Sequence, residues 1–174
     1  MAQVINAYLG MLALRQAGYR TTGTAIAELV DNSIEARAHN IDIILGSDHV
    51  LLNSRRLEQI TTIGVLDDGD GMDLSCLESC LSMGWGTRLD TREGLGRFGF
   101  GLKGSSISQC QRVEVYSWRK DMAVHMTYLD FEDLKDRGHE NELPKPETKS
   151  LPGWIRAGFK GKIGYLSFLN VKQQ

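Results

Sequence analysis

Glu28-Leu29-Val30-Asp31-Asn32-Ser33-Ile34-Glu35-Ala36 reads as a helix with two unlike faces. Ile26, Leu29, Val30 and Ile34 recur at the spacing of one apolar stripe, while Glu28, Asp31, Asn32 and Glu35 recur at i, i+3, i+4 and i+7. One face packs and the other gathers polar chemistry. The spacing predicts a helix that starts after Thr22 or Thr24 and runs to about Ala38. For an isolated helix, a solvated acidic face would be the ordinary explanation. Two further stretches, always in the same order along the chain, argue for more.

The first is Asp67-Asp68-Gly69-Asp70-Gly71-Met72, which closes a strand expected over Thr61 to Leu66. Gly69 and Gly71 let the turn bend tightly against a ligand. A carboxylate at a strand end accepts a hydrogen bond from an exocyclic amino group, which adenine carries and guanine lacks at the equivalent position; Asp67 is the candidate. A plain acidic turn competes with this reading. A calcium loop of the EF-hand type does not, because the remaining ligand spacing and the twelfth-position glutamate are missing. The second stretch runs from Gly94 to Gly104, where Gly94, Gly96, Gly99, Gly101 and Gly104 stand among Arg97 and Lys103, with Arg88 and Arg92 just upstream. Glycines let backbone N–H groups approach phosphate oxygens, and a helix starting near Leu102 adds its dipole. The string Gly96 to Gly101 follows GxxGxG, which is neither the dinucleotide GxGxxG nor a Walker loop, and alone it is a flexible glycine loop as readily as a phosphate cradle.

The three stretches together equip a nucleoside triphosphate site. Mg²⁺ completes an octahedron with phosphates and waters, so a single protein oxygen suffices, and Asn32 can supply it. Glu28 lies one helical turn before Asn32 on the same face, where a carboxylate can take a proton from an attacking water. Asp31 and Glu35 would orient water and neighbouring side chains.

The rest of the chain bounds this reading. Its 174 residues, 41% hydrophobic and 24% charged, suit one domain that buries about 70% of its unfolded surface. A net charge of −2 gives no basic signature of a DNA-binding module. Cys76, Cys80 and Cys110 form no zinc-type set and read as ordinary thiols in a reducing compartment. With no signal-peptide pattern and no apolar run near ~20 residues, an intracellular, cytoplasmic location and no membrane partner are expected, the nucleus being the alternative in a eukaryote. The pattern further predicts a helix from about Val4 to Ala17, a short strand over Ile41 to Leu45 ended by Gly46, Ser47 and Asp48, and a helix capped by Asp73 and reaching Cys80. A hairpin of Arg112 to Trp118 with Ala123 to Tyr128, a long surface loop over Lys135 to Gly153, and a last strand over Ile163 to Val171 follow. Helices early and strands later point to an α+β sandwich.

The ordered set resembles the GHKL ATPases, the group of DNA gyrase B, the ninety-kilodalton heat-shock chaperone, sensor histidine kinases and MutL. Glu28, Asp31, Asn32 and Glu35-Ala36 match its first motif, Asp67, Gly69 and Gly71 its second, and Gly96, Gly99 and Gly101 its third. Within the group the chain looks most like MORC-type ATPases, through Met72, Leu81-Ser82-Met83-Gly84 and Gly101-Leu102-Lys103-Gly104-Ser105. The resemblance implies a single domain over 1–174 of the Bergerat type: a two-layer α/β sandwich with a mixed, mainly antiparallel sheet and helices on one face. It implies ATP and Mg²⁺ as cofactors, Glu28 as base, Asn32 as metal ligand and Asp67 as adenine reader. Asp31, Glu35, Gly69, Gly71, Met72, Gly96, Gly99, Phe100, Gly101, Leu102 and Lys103 would complete the nucleotide site, with residues from Gly84 to Gly104 as a lid. A nucleotide-dependent homodimer acting as a clamp on a protein or DNA client is implied as well.

Two departures refine this. Asp70 stands where gyrase-like members carry arginine. A phosphate-contacting lysine that several members take from a second domain would lie beyond residue 174, so either the chain is the N-terminal part of a longer protein, as expected, or hydrolysis is slow or completed by a partner. Sensor kinases usually carry asparagine where this chain has Glu28, which favours water attack over protein phosphorylation. A regulatory module that binds nucleotide without useful hydrolysis is the alternative to an ATPase.

Overall fold

A computed structural model describes residues 7–17, 21–52, 54–82, 106–119, 122–136, 142–156 and 165–170. In chain order they form α1 (Ala7–Ala17), α2 (Thr22–Glu35), β1 (Ile41–Leu52), β2 (Arg55–Asp67), α3 (Leu74–Ser79), β3 (Arg112–Ser117), β4 (His125–Asp130), α4 (Phe131–Asp136), β5 (Glu147–Thr148), α5 (Gly153–Arg156) and β6 (Tyr165–Asn170). A helical turn at 106–109 precedes β3.

The six strands make one sheet in the order β1-β2-β6-β3-β4-β5. Each described pairing is antiparallel. The last strand in sequence therefore lies at the middle of the sheet, pairing β2 on one side and β3 on the other.

Alternation along the strands separates two apolar layers. Ile63 and Val65 of β2, Val113 and Val115 of β3 and Leu129 of β4 share a face, and on them pack Met11 of α1, Leu29 of α2, Leu77 of α3, Ile107 of the turn at 106–109 and Phe131 of α4. The intervening residues Leu66, Tyr116 and Met126 face the other way and are covered by Ile155 of α5, with Leu151 and Ile44 at the margin. The longer helices thus occupy one face, as expected for the sandwich, and the four-residue α5 covers part of the other.

Several boundaries differ from the sequence expectation. α2 starts one residue early because Thr21, in extended conformation, is the N-cap: its hydroxyl accepts from the Thr24 N–H at 3.2 Å. The helix stops at Glu35 rather than Ala38, because Arg37 adopts a left-handed φ of 63°. The Arg37 N–H then bonds the Ile34 carbonyl at 2.9 Å and the Ala38 N–H that of Ser33 at 3.1 Å, the pair of bonds that ends a helix in the Schellman manner. Ile34, expected in the packed stripe, sits on this last turn and is 59% exposed.

β1 does not end at Gly46 but continues to Leu52, and β2 begins at Arg55, six residues ahead of the expected Thr61. Gly46 marks a register shift inside the strand, not its end, and a Cβ there would stand 3.0 Å from Thr62 Cβ on the partner strand. Among the described residues β6 pairs β2 over Thr62–Asp67, and most of the described residues of the hairpin beyond that point are exposed. Its residues carry no alternation to read. The stretch Lys135–Gly153 is likewise not a plain loop, since β5 pairs with β4 within it.

Asp73 caps α3 as anticipated, its carboxylate accepting from the Cys76 N–H at 2.8 Å. All three cysteines are free thiols. Cys110 is buried, which pushes its pKa up to about 12, and its Sγ donates to the Ser106 carbonyl at 3.0 Å. Burial likewise raises Cys76, helped by the charge of Asp73, so neither is poised as a thiolate.

Candidate functional site: a buried carboxylate between a helix and a strand end

Asp67 is the last residue of β2 and is only 2% exposed. A buried carboxylate requires hydrogen bonds, and Asp67 receives them from both motifs. The Ser33 hydroxyl on α2 donates to Oδ2 at 2.7 Å, and the Gly69 N–H donates to Oδ1 at 2.8 Å. Ser33 also lies 3.2 Å from the Leu29 carbonyl, but its single hydrogen serves one acceptor at a time, and the shorter, charge-assisted bond to Asp67 prevails. The helix and the strand end are thereby joined at the point where the sequence places the adenine reader.

The turn that follows is stitched to the end of α2. The Asp70 N–H bonds the Ala36 carbonyl at 2.9 Å. Gly69 packs so close that a Cβ would come within 2.7 Å of that same carbonyl oxygen, which is why no side chain fits there. Asp70, the residue that departs from the gyrase pattern, pairs with Arg37 through Oδ2, the Nε contact being 2.8 Å. Asp68 turns the other way, accepting from the His39 and Asn40 N–H groups at 2.7 Å each and from the Asn40 side chain at 2.6 Å. It fixes the entry to β1. Gly71 holds φ 66°, the conformation that its lack of a Cβ permits, and delivers Met72 half-buried against the core.

On α2, Glu28 and Asn32 are half-buried and Asp31 and Glu35 exposed. Asn32 immediately precedes Ser33, so the proposed metal ligand and the support of Asp67 occupy one turn. Among the described residues no group of three or more His, Cys, Asp or Glu side chains could hold a metal ion unaided. The single amide oxygen of Asn32 would suit a cation that takes its other ligands from phosphate and water. Gly96, Gly99, Phe100, Gly101, Leu102 and Lys103 lie outside the described residues. Just beyond them, the turn at 106–109 meets the start of α2, where the Thr22 hydroxyl donates to Gln109 Oε1 at 2.8 Å.

The structure thus brings Asp67 and Gly69 against the helix of Glu28, Asp31, Asn32 and Glu35, while Gly71 and Met72 are held at the exit of β3 by Arg119 and Ser117. Sequence reasoning missed Ser33, which falls between the apolar stripe and the acidic positions, and Asp68, read only as part of an acidic run. A serine on the buried side of an amphipathic helix was the available clue.

Comparison with known proteins bears on the family and the fold. No curated protein matches the chain. Among solved structures, the N-terminal domain of a DNA repair protein superposes with a TM-score of 0.58 at 21% identity, over 91% of this chain and 38% of that one. The present chain therefore spans well under half the length of that structure, and the likeness is one of fold. No described helix is long and apolar enough to cross a membrane. The profile of the histidine kinase-, DNA gyrase B- and HSP90-like ATPases matches residues 19–154, which contain α2, Asp67 and the glycine turn, and the chain belongs to that family.

Proposed function

We propose that the chain binds ATP with Mg²⁺ at the seam between α2 and the end of β2 and hydrolyses it. The observation that carries this is the buried Asp67 carboxylate, held by the Gly69 N–H of its own turn and by Ser33, on the helix that also bears Glu28 and Asn32. An ionised carboxylate only accepts hydrogen bonds, so Asp67 selects a base that offers an amino group. Met72 would form an apolar wall for the ring. Asn32 would hold the Mg²⁺, which neutralises triphosphate charge. That neutralisation is needed here, since Glu28, Asp31 and Glu35 put carboxylates on the same helix.

Glu28 would take the proton of the attacking water, and Asp31 and Glu35 would order solvent around it. Gly96, Gly99, Phe100, Gly101, Leu102 and Lys103 would supply the phosphate contacts, Lys103 as a cation. Nucleotide-dependent homodimerisation, a clamp on a protein or DNA client and the MORC-like character belong to the same proposal. They rest on the resemblance and the family match.

The decisive experiment is Glu28→Gln. ATP binding should persist within about threefold while phosphate release falls by at least 100-fold, in keeping with the ~10²–10⁴ contributed by a general base. Unchanged turnover would remove Glu28 from that role. Asp67→Asn replaces an acceptor oxygen by a donor and should weaken ADP binding by about tenfold or more, while an unaltered affinity would take Asp67 out of the site.

A further inference from the structure

The glycine turn leaves β2 at Asp67 and is caught again at the far side of β6. Asp67 and Ser117 both lie opposite Tyr165, one from each side, so they share a face of the sheet two strand spacings apart, roughly 10 Å. Ser117 is the last residue of β3 and is only 2% exposed. Its Oγ accepts the Met72 N–H at 2.7 Å and lies 3.5 Å from the Met72 carbonyl. Two residues on, Arg119 donates from Nε to the Gly71 carbonyl at 3.3 Å and pairs through Nη1 with Asp73 at 3.5 Å. Three consecutive residues of the turn are therefore gripped by the exit of β3, and the third of them is the cap of α3.

We infer that Ser117, assisted by Arg119, is a positioning residue for the nucleotide base: it fixes how far the Met72 wall stands from the Asp67 acceptor. The inference rests on the nucleotide reading above. Its physical basis is that both ends of the bridge are pinned, at Asp67 by Ser33 and Gly69 and at Met72 by Ser117. A planar base between an acceptor and an apolar wall is sensitive to that separation. The backbone bond to Ser117 holds Met72 whatever rotamer its flexible side chain adopts.

The test compares ADP affinity by calorimetry, and KM with kcat for ATP, in the full chain and in Ser117→Ala and Ser117→Thr. Loss of the hydroxyl should raise the ADP Kd and the ATP KM about three- to tenfold, the range of one net hydrogen bond, with kcat within about twofold. Ser117→Thr keeps the hydroxyl on a residue that strands accept and should restore Kd to within about twofold. Should the alanine variant not fold, Ser117→Cys keeps the volume but replaces the acceptor by a weak one, and a rise in Kd is again expected. Wild-type binding of ADP with no change in either variant would overturn the inference and leave the nucleotide reading intact. A fall in kcat at constant KM would overturn it too. Absence of ADP binding by the wild-type chain would overturn both.

Discussion

Ser33 shows how a single hydroxyl joins two motifs that lie 34 residues apart. It is fully buried, and its partner is a carboxylate, so the bond is of the stronger charge-assisted kind. Removing it leaves Asp67 buried with one donor fewer. Ser33→Ala should cost about 1.5–3 kcal/mol of unfolding free energy, the range for hydrogen bonds to charged groups, read from urea denaturation at pH 7. A loss below about 0.5 kcal/mol would mean that Asp67 is held chiefly by the Gly69 N–H. Gly69 has a different reason to be what it is. The space its Cβ would need is filled by the Ala36 carbonyl at 2.7 Å, so the turn and the helix end can meet only without a side chain.

At the scale of elements, α2 both packs and presents chemistry, and its two functions separate along its length. Leu29 is 1% exposed among the core residues, whereas Ile34 on the final turn is 59% exposed. Leu29→Ala should therefore destabilise the fold by about 2–5 kcal/mol and Ile34→Ala by no more than about 0.5 kcal/mol, measured side by side by urea denaturation. Equal losses would place Ile34 in a packed environment. The same contrast shows what could be read from the sequence. The stripe of α2, the cap at Asp73 and the β3–β4 pair were legible because periodicity and capping are local. The end of α2 was not, because it depends on Arg37 adopting a left-handed φ with no glycine to announce it, next to a partner in Asp70 33 residues away. Nor was the β1–β2 ribbon, whose polar residues Arg55, Arg56 and Glu58 lie exposed beyond the sheet and follow no inside–outside rhythm. Asp67, Gly69 and Gly71 were candidates by residue type and Met72 by resemblance, while the bonds of Ser33 and Ser117 to Asp67 and Met72 became evident only once the fold brought distant residues together.

For the whole molecule, the sheet acts as a frame whose strand ends carry the site. Asp67 at the end of β2 and Ser117 at the end of β3 are spaced by β6, a strand that arrives last in sequence. The spacing of the candidate base pocket therefore depends on β6 being paired on both sides, and ligand binding should report on global stability. If ADP with Mg²⁺ binds the folded chain alone, a concentration of 100 times Kd adds about 2.7 kcal/mol. For a domain of this size that raises Tm by roughly 5–11 °C. Asp67→Asn should lose most of the shift at the same ADP concentration, because the folded state no longer presents the acceptor. Chelation of the metal should reduce the shift in the wild-type chain, since Mg²⁺ would offset repulsion between the ADP phosphates and the carboxylates of α2, and should leave Tm without nucleotide unchanged. A thermal scan that shows no shift at millimolar ADP with Mg²⁺ would reject nucleotide binding at this site. A shift of equal size in Asp67→Asn would move the base elsewhere on the molecule.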